Sequence, residues 1–326
     1  MWRSDPAGRS AIEGMWGMRF RDVVQMFVLS AVWGASFILI RLAGDDLPPV
    51  WVAVGRLAFG SAFLWIALAA GRHSMPQRSL IAPLAAVAIL NNAIPFCLFA
   101  WGERTVPSSI AAIVNGTTPI WALLLGIVSG GARATRLTAA GVALGFLGVL
   151  AVVLGPSTGI AAGAGSSGYL FGVALISTAS LSYGAGAVAA RRWLHGVEPV
   201  VIATFQLTLA GLLLLPLAVL GPHPAAVHWR SMAAVTVLGV LGSGFAYLLF
   251  FRLLAAISST RTVAVTYVLP IWGLFWGFLA GETIRWTALV GVVVVLAGLV
   301  LMNLHPEAKK AEEAAPAAKV LAAEQS

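Results

Sequence analysis

Charge is scarce in this chain. Only 10% of its 326 residues are Asp, Glu, Lys or Arg, 60% are hydrophobic, and the mean hydropathy is +0.93. A soluble domain carries about 25% charged and about 45–50% apolar residues. A soluble core cannot hide so large an apolar excess, which excludes a cytosolic enzyme, a secreted domain and a disordered protein. Cysteine is equally scarce: Cys97 stands alone, so no disulfide forms within the chain and redox compartment is not readable from it. The sequence also lacks a GxxxxGK[ST] loop for a nucleotide, an HExxH pair and any concentration of Cys and His. All five histidines fall in loops or the tail. No catalytic set, cofactor or metal is therefore expected. The net charge of +8 does not point to nucleic acid, because the basic residues sit in short loops between apolar runs and orient a membrane protein there.

Ten apolar segments have the length needed to cross a bilayer, about 20 residues each. They cover 23–43, 50–70, 81–102, 108–128, 135–155, 168–190, 199–220, 232–254, 261–280 and 285–304. None alternates with period two, so the expected fold class is an all-α membrane protein and not a β-barrel. Residues 1–22 form a polar, basic segment in which Met15 and Met18 are alternative starts. Residues 156–167 form a Gly/Ser/Ala-rich linker, and 305–326 a charged, Ala-rich tail expected to be disordered. With the N-terminus inside, only Arg41, Arg104, Arg230 and Arg285 of the 20 basic residues fall outside, and Arg56 lies within a span. That bias predicts cytoplasmic N- and C-termini in the cytoplasmic (inner) membrane.

The two halves resemble one another at an offset of about 150. Trp33-Gly34 aligns with Tyr183-Gly184, Pro49 with Pro199, Arg56 with Gln206, and Ser108-Ser109 with Ser259-Thr260. Pro119-Ile120-Trp121 aligns with Pro270-Ile271-Trp272, and Gly131, Gly141 and Gly148 with Gly281, Gly291 and Gly298. Each half holds five spans, an odd number, so the second enters from the opposite face. Inverted repeats of this kind recur in secondary transporters, with the substrate site near mid-membrane between the halves.

The stretch PSSIAAIVNGTTPIWALLLG (107–126) and its partner SSTRTVAVTYVLPIWGLFWGFLAGE (258–282) resemble the drug/metabolite transporter superfamily, EamA branch. So do the WGASF run (33–37), Arg56, and Gly281-Glu282 followed by Gly291 and Gly298. The resemblance covers about 23–304. It implies ten transmembrane helices in two five-helix repeats, 23–155 and 168–304. It also implies transport of small metabolites, often amino acids and usually as export. The sequence departs from symmetry where the first half has Ala132 opposite Glu282.

Arg56 is the sharpest single signal, since an arginine inside a span is costly. It could hold a substrate carboxylate through its fork, or serve the structure by capping carbonyls or snorkelling. It stands about seven residues, roughly 10 Å, from the outer end of its span. Pro119 and Pro270 lie deep in spans four and nine, where a freed carbonyl can face a cavity or merely mark a packing kink. Asn91, Asn92, Asn115, Thr117 and Thr118 form a polar cluster at depth, matched in the second half by Ser243, Tyr247, Thr266 and Tyr267. Such groups bind polar substrate atoms or bond between helices. Trp33, Trp121, Trp272 and Trp276 lie deep enough to wall a path or to pack the bundle, as does Tyr183. Ser36 of the WGASF run and Gln206, the counterpart of Arg56, complete the expected path. Glu103 and Glu282, both at span ends, are the carboxylates available for proton coupling, with a Glu103–Arg104 ion pair as the plain alternative. Gly141 with Gly145 and Gly273 with Gly277 are spaced for close helix contact. Ser108 and Ser259 are placed to N-cap spans four and nine. The expected partners are the lipid bilayer and a small-molecule substrate; a monomer suffices, and a homodimer is compatible with the sequence.

Overall fold

The computed structural model describes residues 19–71, 73, 75–130, 135–155, 166–256 and 265–303. Most of the N-terminal segment, most of the linker, Ser259 and the tail fall outside these residues. Among the described residues the chain is helical and has no strand. The helices are α1 (Phe20–Ala43), α2 (Pro49–Ala70), α3 (Arg78–Gly102), α4 (Ser108–Val128) and α5 (Arg136–Val153). They continue as α6 (Ser166–Trp193), α7 (Pro199–Leu220), α8 (229–256), α9 (Val265–Leu279) and α10 (Trp286–Asn303). By length and composition, eight helices, α1 to α8, can each cross a membrane; α9 and α10 are apolar but shorter. The outside of the bundle is apolar: Phe171, Leu212, Leu217, Trp229 and Val293 are all exposed. Such a surface is stable against lipid and not against water.

Local chemistry accounts for the helix starts. Pro49 and Pro199 open α2 and α7, where a missing N–H costs nothing. Sequence spacing predicts one continuous helix over 108–128 with a kink at Pro119. Instead α4 breaks into Ser108–Asn115 and Thr118–Val128, and Pro119 sits in the first turn of the second piece. Proline is thus an opener here and not an interior kink. Pro270, by contrast, lies inside α9 and packs at the break: a Cβ on Gly116 would stand 3.1 Å from its Cγ.

Two helices carry a π-helical segment, Ile89–Ala93 in α3 and Val240–Phe245 in α8. These stand about 150 residues apart, as the sequence repeat does. A π segment widens the backbone ladder and frees carbonyls for other partners. Ser182 of α6 donates to the Leu90 carbonyl at 2.7 Å.

The tightest helix contacts also come in related pairs. A side chain at Gly34 would collide with Trp272, and one at Gly184 with Trp121, whose Cβ is 2.9 Å away. Between α5 and α10, a Cβ at Gly298 would lie 2.6 Å from the Gly141 carbonyl oxygen, and one at Gly148 3.0 Å from that of Gly291. Likewise α1 packs on α9 while α4 packs on α6, and α2 packs on α8 while α3 packs on α7. Helix pairs α2–α7 and α5–α10 join equivalent helices of the two halves.

Candidate functional site: a buried arginine and a capped helix end

Arg56 is 7% exposed in the middle of this packing. Its Nε donates to the Ser243 hydroxyl at 2.8 Å, so the partner comes from the π segment of α8. Its guanidinium carbon lies 3.8 Å from the centre of the Phe96 ring, just past the π segment of α3. A cation over a ring face is stabilised, the more so away from water. The two terminal nitrogens of the fork make no hydrogen bond among the described residues. The phenols of Tyr183 and Tyr247 lie within electrostatic reach of the charge. Asn92 is fully buried; its amide donates to the Tyr247 hydroxyl at 3.2 Å, while its own oxygen has no partner among the described residues. Both π segments therefore deliver polar groups to one place, and a free guanidinium fork is left there.

The other expected residues divide. Gln206 is buried and makes no hydrogen bond among the described residues. Ser36 back-bonds to the Val32 carbonyl at 3.4 Å and lies against Gly242 of the second π segment. Asn91 is pressed against Gly186 of α6. Asn115 accepts from the Thr118 hydroxyl at 3.1 Å across the break in α4, and Tyr267 packs on the main core. Trp33 packs on Phe250, and the Trp272 indole donates to the Ser30 hydroxyl at 3.1 Å, tying α9 to α1. An apolar groove of about 430 Å³ lies elsewhere, between α9 and α10, lined by residues such as Ile271, Phe278 and Val293. Without polar groups it is not a place for a charged solute.

A second polar group lies at the end of the bundle where α3 ends and α4 begins. Gly281 adopts φ 85°, closing α9 with Glu282 N–H bonded to the Gly277 carbonyl and Gly281 N–H to that of Phe278. This left-handed turn suits glycine, and it aims Glu282 at the start of α4. The carboxylate accepts the backbone N–H groups of Ser108 (2.8 Å) and Ser109 (3.0 Å), the Ser108 hydroxyl (2.7 Å), and Arg41 Nη1 (3.0 Å). Ser108 is thus not the N-cap; Pro107 takes that position without a side-chain bond, and an acid from the other half does the capping. An anion at a helix N-terminus is favoured by the orphan N–H groups and the dipole. Burial works to raise the Glu282 pKa, but the bonds from Ser109 and Ser108 outweigh it and hold it below the usual carboxylate value.

Glu103, one residue past α3, is 5% exposed, and neither of its oxygens has a hydrogen-bond partner among the described residues. The local ion pair with Arg104 expected as its plain role is not formed. Burial first, and then the charge of Glu282, push its pKa well above the usual carboxylate range; Arg41 and Arg56 only partly oppose this.

Two further ties join the halves. His73 Nδ1 lies 2.5 Å from Glu198. At the Glu282 end, Asp46 accepts the His228 backbone N–H and imidazole Nδ1, each at 2.9 Å, at the start of α8. The imidazole bond, then the backbone bond, lower the Asp46 pKa to about 2. A lowered carboxylate pKa adds stability above its unfolded value, about 3.9. That stability is lost as pH falls through about 2. Melting curves of purified protein between about pH 5 and pH 2 should therefore fall more steeply for the parent than for Asp46→Asn.

A helical bundle with several membrane-length helices, large exposed apolar side chains along them and charged residues exposed at the helix ends is a multi-pass membrane protein. The EamA-like transporter family matches it twice, over residues 22–154 and 170–304. The chain belongs to that family, within the drug/metabolite transporter superfamily, and is a membrane transporter of small metabolites. It is 29% identical over 299 residues to the uncharacterized inner membrane transporter YedA of Escherichia coli (strain K12), covering 88% of this chain and 94% of that protein. It is 25% identical over 307 residues to a protein of Streptantibioticus cattleyicolor named "probable terminal-alkyne amino-acid exporter", covering 92% of this chain and 99% of the relative. One solved crystal structure shares the fold at a TM-score of 0.63 and 20% identity, covering 88% of this chain and 98% of the other.

Proposed function

We propose that the chain exports a small carboxylate-bearing metabolite, an amino acid or a related solute, by alternating access between two inverted five-helix repeats. The repeats are residues 23–155 and 168–304, so ten helices cross the cytoplasmic membrane with both termini in the cytoplasm. Pairing of equivalent glycines supports the symmetry: Gly298 meets Gly141 while Gly148 meets Gly291, as expected where a two-fold axis relates like surfaces. The amino-acid class draws support from the exporter relative. No catalytic role is assigned to any residue.

The observation that carries the substrate class is the Arg56 fork, buried and, among the described residues, held only through Nε. Two parallel N–H donors match a carboxylate. The Asn92 oxygen, also without a partner, could accept an ammonium N–H from the same solute.

Purified protein in liposomes tests this. Labelled amino acids and related carboxylates should cross faster than into empty vesicles, and their methyl esters should not compete. Flux of neutral or cationic solutes alone would overturn the carboxylate class. Flux of nothing in a broad metabolite panel would overturn the transport mechanism proposed for this fold.

A further inference from the structure

Glu103 presents a problem that none of the ties described above solves. A buried carboxylate without a hydrogen bond is far more costly than a neutral carboxylic acid in the same place. Each element packed around it offers something different. The Arg41 guanidinium on α1 is already bonded to Glu282, and the Arg56 guanidinium on α2 donates through Nε to Ser243, is covered by Phe96, and makes no hydrogen bond to Glu103. The turn after α9 offers Glu282, a like charge that acts on Glu103. On α6 the segment against Gly102 runs through Gly172 and Ile176, and its one titratable side chain is the phenol of Tyr169. Neither nearby cation bonds to Glu103, and the acid that acts on it, Glu282, carries a like charge. Arg104, next in sequence, is exposed.

Glu282 also joins three parts of the chain. It holds the start of α4 through two N–H groups and the end of α1 through Arg41. With those bonds made, Glu103, Val106, Ser108 and Ser109 are buried, Val106 at 1% exposed and Ser109 at 4%, while Arg104 and Thr105 face outward. In the orientation proposed above this is the outer end of the pathway.

We propose that Glu103 is a proton-binding site that governs closure of this end of the transporter: its carboxyl holds a proton while the Arg41–Glu282–Ser108–Ser109 tie is made. When the tie opens and water enters, the O–H bond of the Glu103 carboxyl breaks, the proton passes to water, and the carboxylate remains. Glu282 stays ionised in both states, held by its donors while the tie is made and hydrated once it opens, so the two acids have different tasks. The sign of the pH dependence follows. Closure takes up a proton, so it is favoured at low pH and lost as pH rises through the raised pKa of the closed form. The proposal rests on the alternating-access reading, but its test does not require a substrate.

Two measurements on the full chain decide it. Infrared spectra of the purified protein near pH 7 should contain a protonated-carboxyl C=O band that is missing in Glu103→Gln. In a Cys97→Ser background, Val106→Cys should react slowly with a membrane-impermeant thiosulfonate at about pH 5 and about tenfold faster or more at about pH 9, a difference of roughly 1.4 kcal/mol in closure. Rates are taken relative to Asp45→Cys, an exposed site at the same end. Adding Glu103→Gln should make the relative rate low and independent of pH; Glu103→Leu should do the same if the glutamine variant fails to fold. A band that persists in Glu103→Gln, or a relative rate for the Glu103 protein that is flat with pH, overturns the proposal. Absence of solute flux in liposomes would instead count against the transport mechanism and leave both readouts standing.

Discussion

Arg56→Ala should lower kcat/KM for a carboxylate solute by between about 30-fold and a few thousandfold, the equivalent of roughly 2–5 kcal/mol for removing one member of a buried charged pair. Folding should suffer much less. Among the described residues the side chain has one hydrogen-bond partner, Ser243, and one ring contact, Phe96. Losing the partner of a hydroxyl costs about 1–3 kcal/mol, and removing a buried cation returns part of that. Arg56→Lys separates charge from geometry. Lysine keeps the cation but cannot offer two parallel N–H groups, so it should recover only part of the flux. If Arg56→Ala lowers flux only as far as it lowers the amount of folded protein in the membrane, the residue is a brace between α2 and α8, and the carboxylate class falls. Flux per folded molecule, counted by fluorescence-detected chromatography, is the measurement that decides.

How much of this was legible beforehand depends on distance along the chain. Arg56 announced itself because a charge inside an apolar run needs no partner to be noticed. Ser243 was visible only as part of a polar zone in the second half, since nothing in sequence joins residues 187 apart. Phe96 gave no signal: a phenylalanine in an apolar span resembles any lipid-facing or core ring. Glu282 was noticed as an acid at a span end, but its task as a cap was not, because the N–H groups it meets lie 173 and 174 residues away. Ser108 was misplaced by one residue, enough to turn an expected cap into a first-turn residue whose own N–H is capped. The π segments carry no period that differs from an α-helix over so few residues, although Asn91-Asn92 and Gly242-Ser243-Gly244 mark where they occur. The repeat was the most legible feature, because duplicated glycines keep their spacing and reappear as paired contacts.

Those paired contacts give the second large effect. Gly298→Val should lower the melting temperature of the purified protein by roughly 2–12 °C, as overpacking costs about 1–3 kcal/mol and a large domain loses about 2–4 °C per kcal/mol. The reason is what the new side chain meets. A Cβ at residue 298 lies 2.6 Å from both the Gly141 carbonyl oxygen and the Gly145 backbone nitrogen. Neither can rotate aside as a side chain would, so α5 and α10 must separate. Gly148→Val should behave alike, because a Cβ there lies 2.8 Å from the Val295 backbone nitrogen and 3.0 Å from the Gly291 carbonyl oxygen. The double variant should then cost less than the sum, since once the first valine has parted the helices the second finds room. Gly196→Ala is the contrast: no atom stands within 4 Å of a Cβ there, and the cost is confined to its φ of 75°. Strict additivity at 148 and 298, or a melting temperature unchanged by either, would mean that the two helices are not locked against each other through their backbones. The repeated glycines would then no longer support the two-fold relation proposed for the two halves.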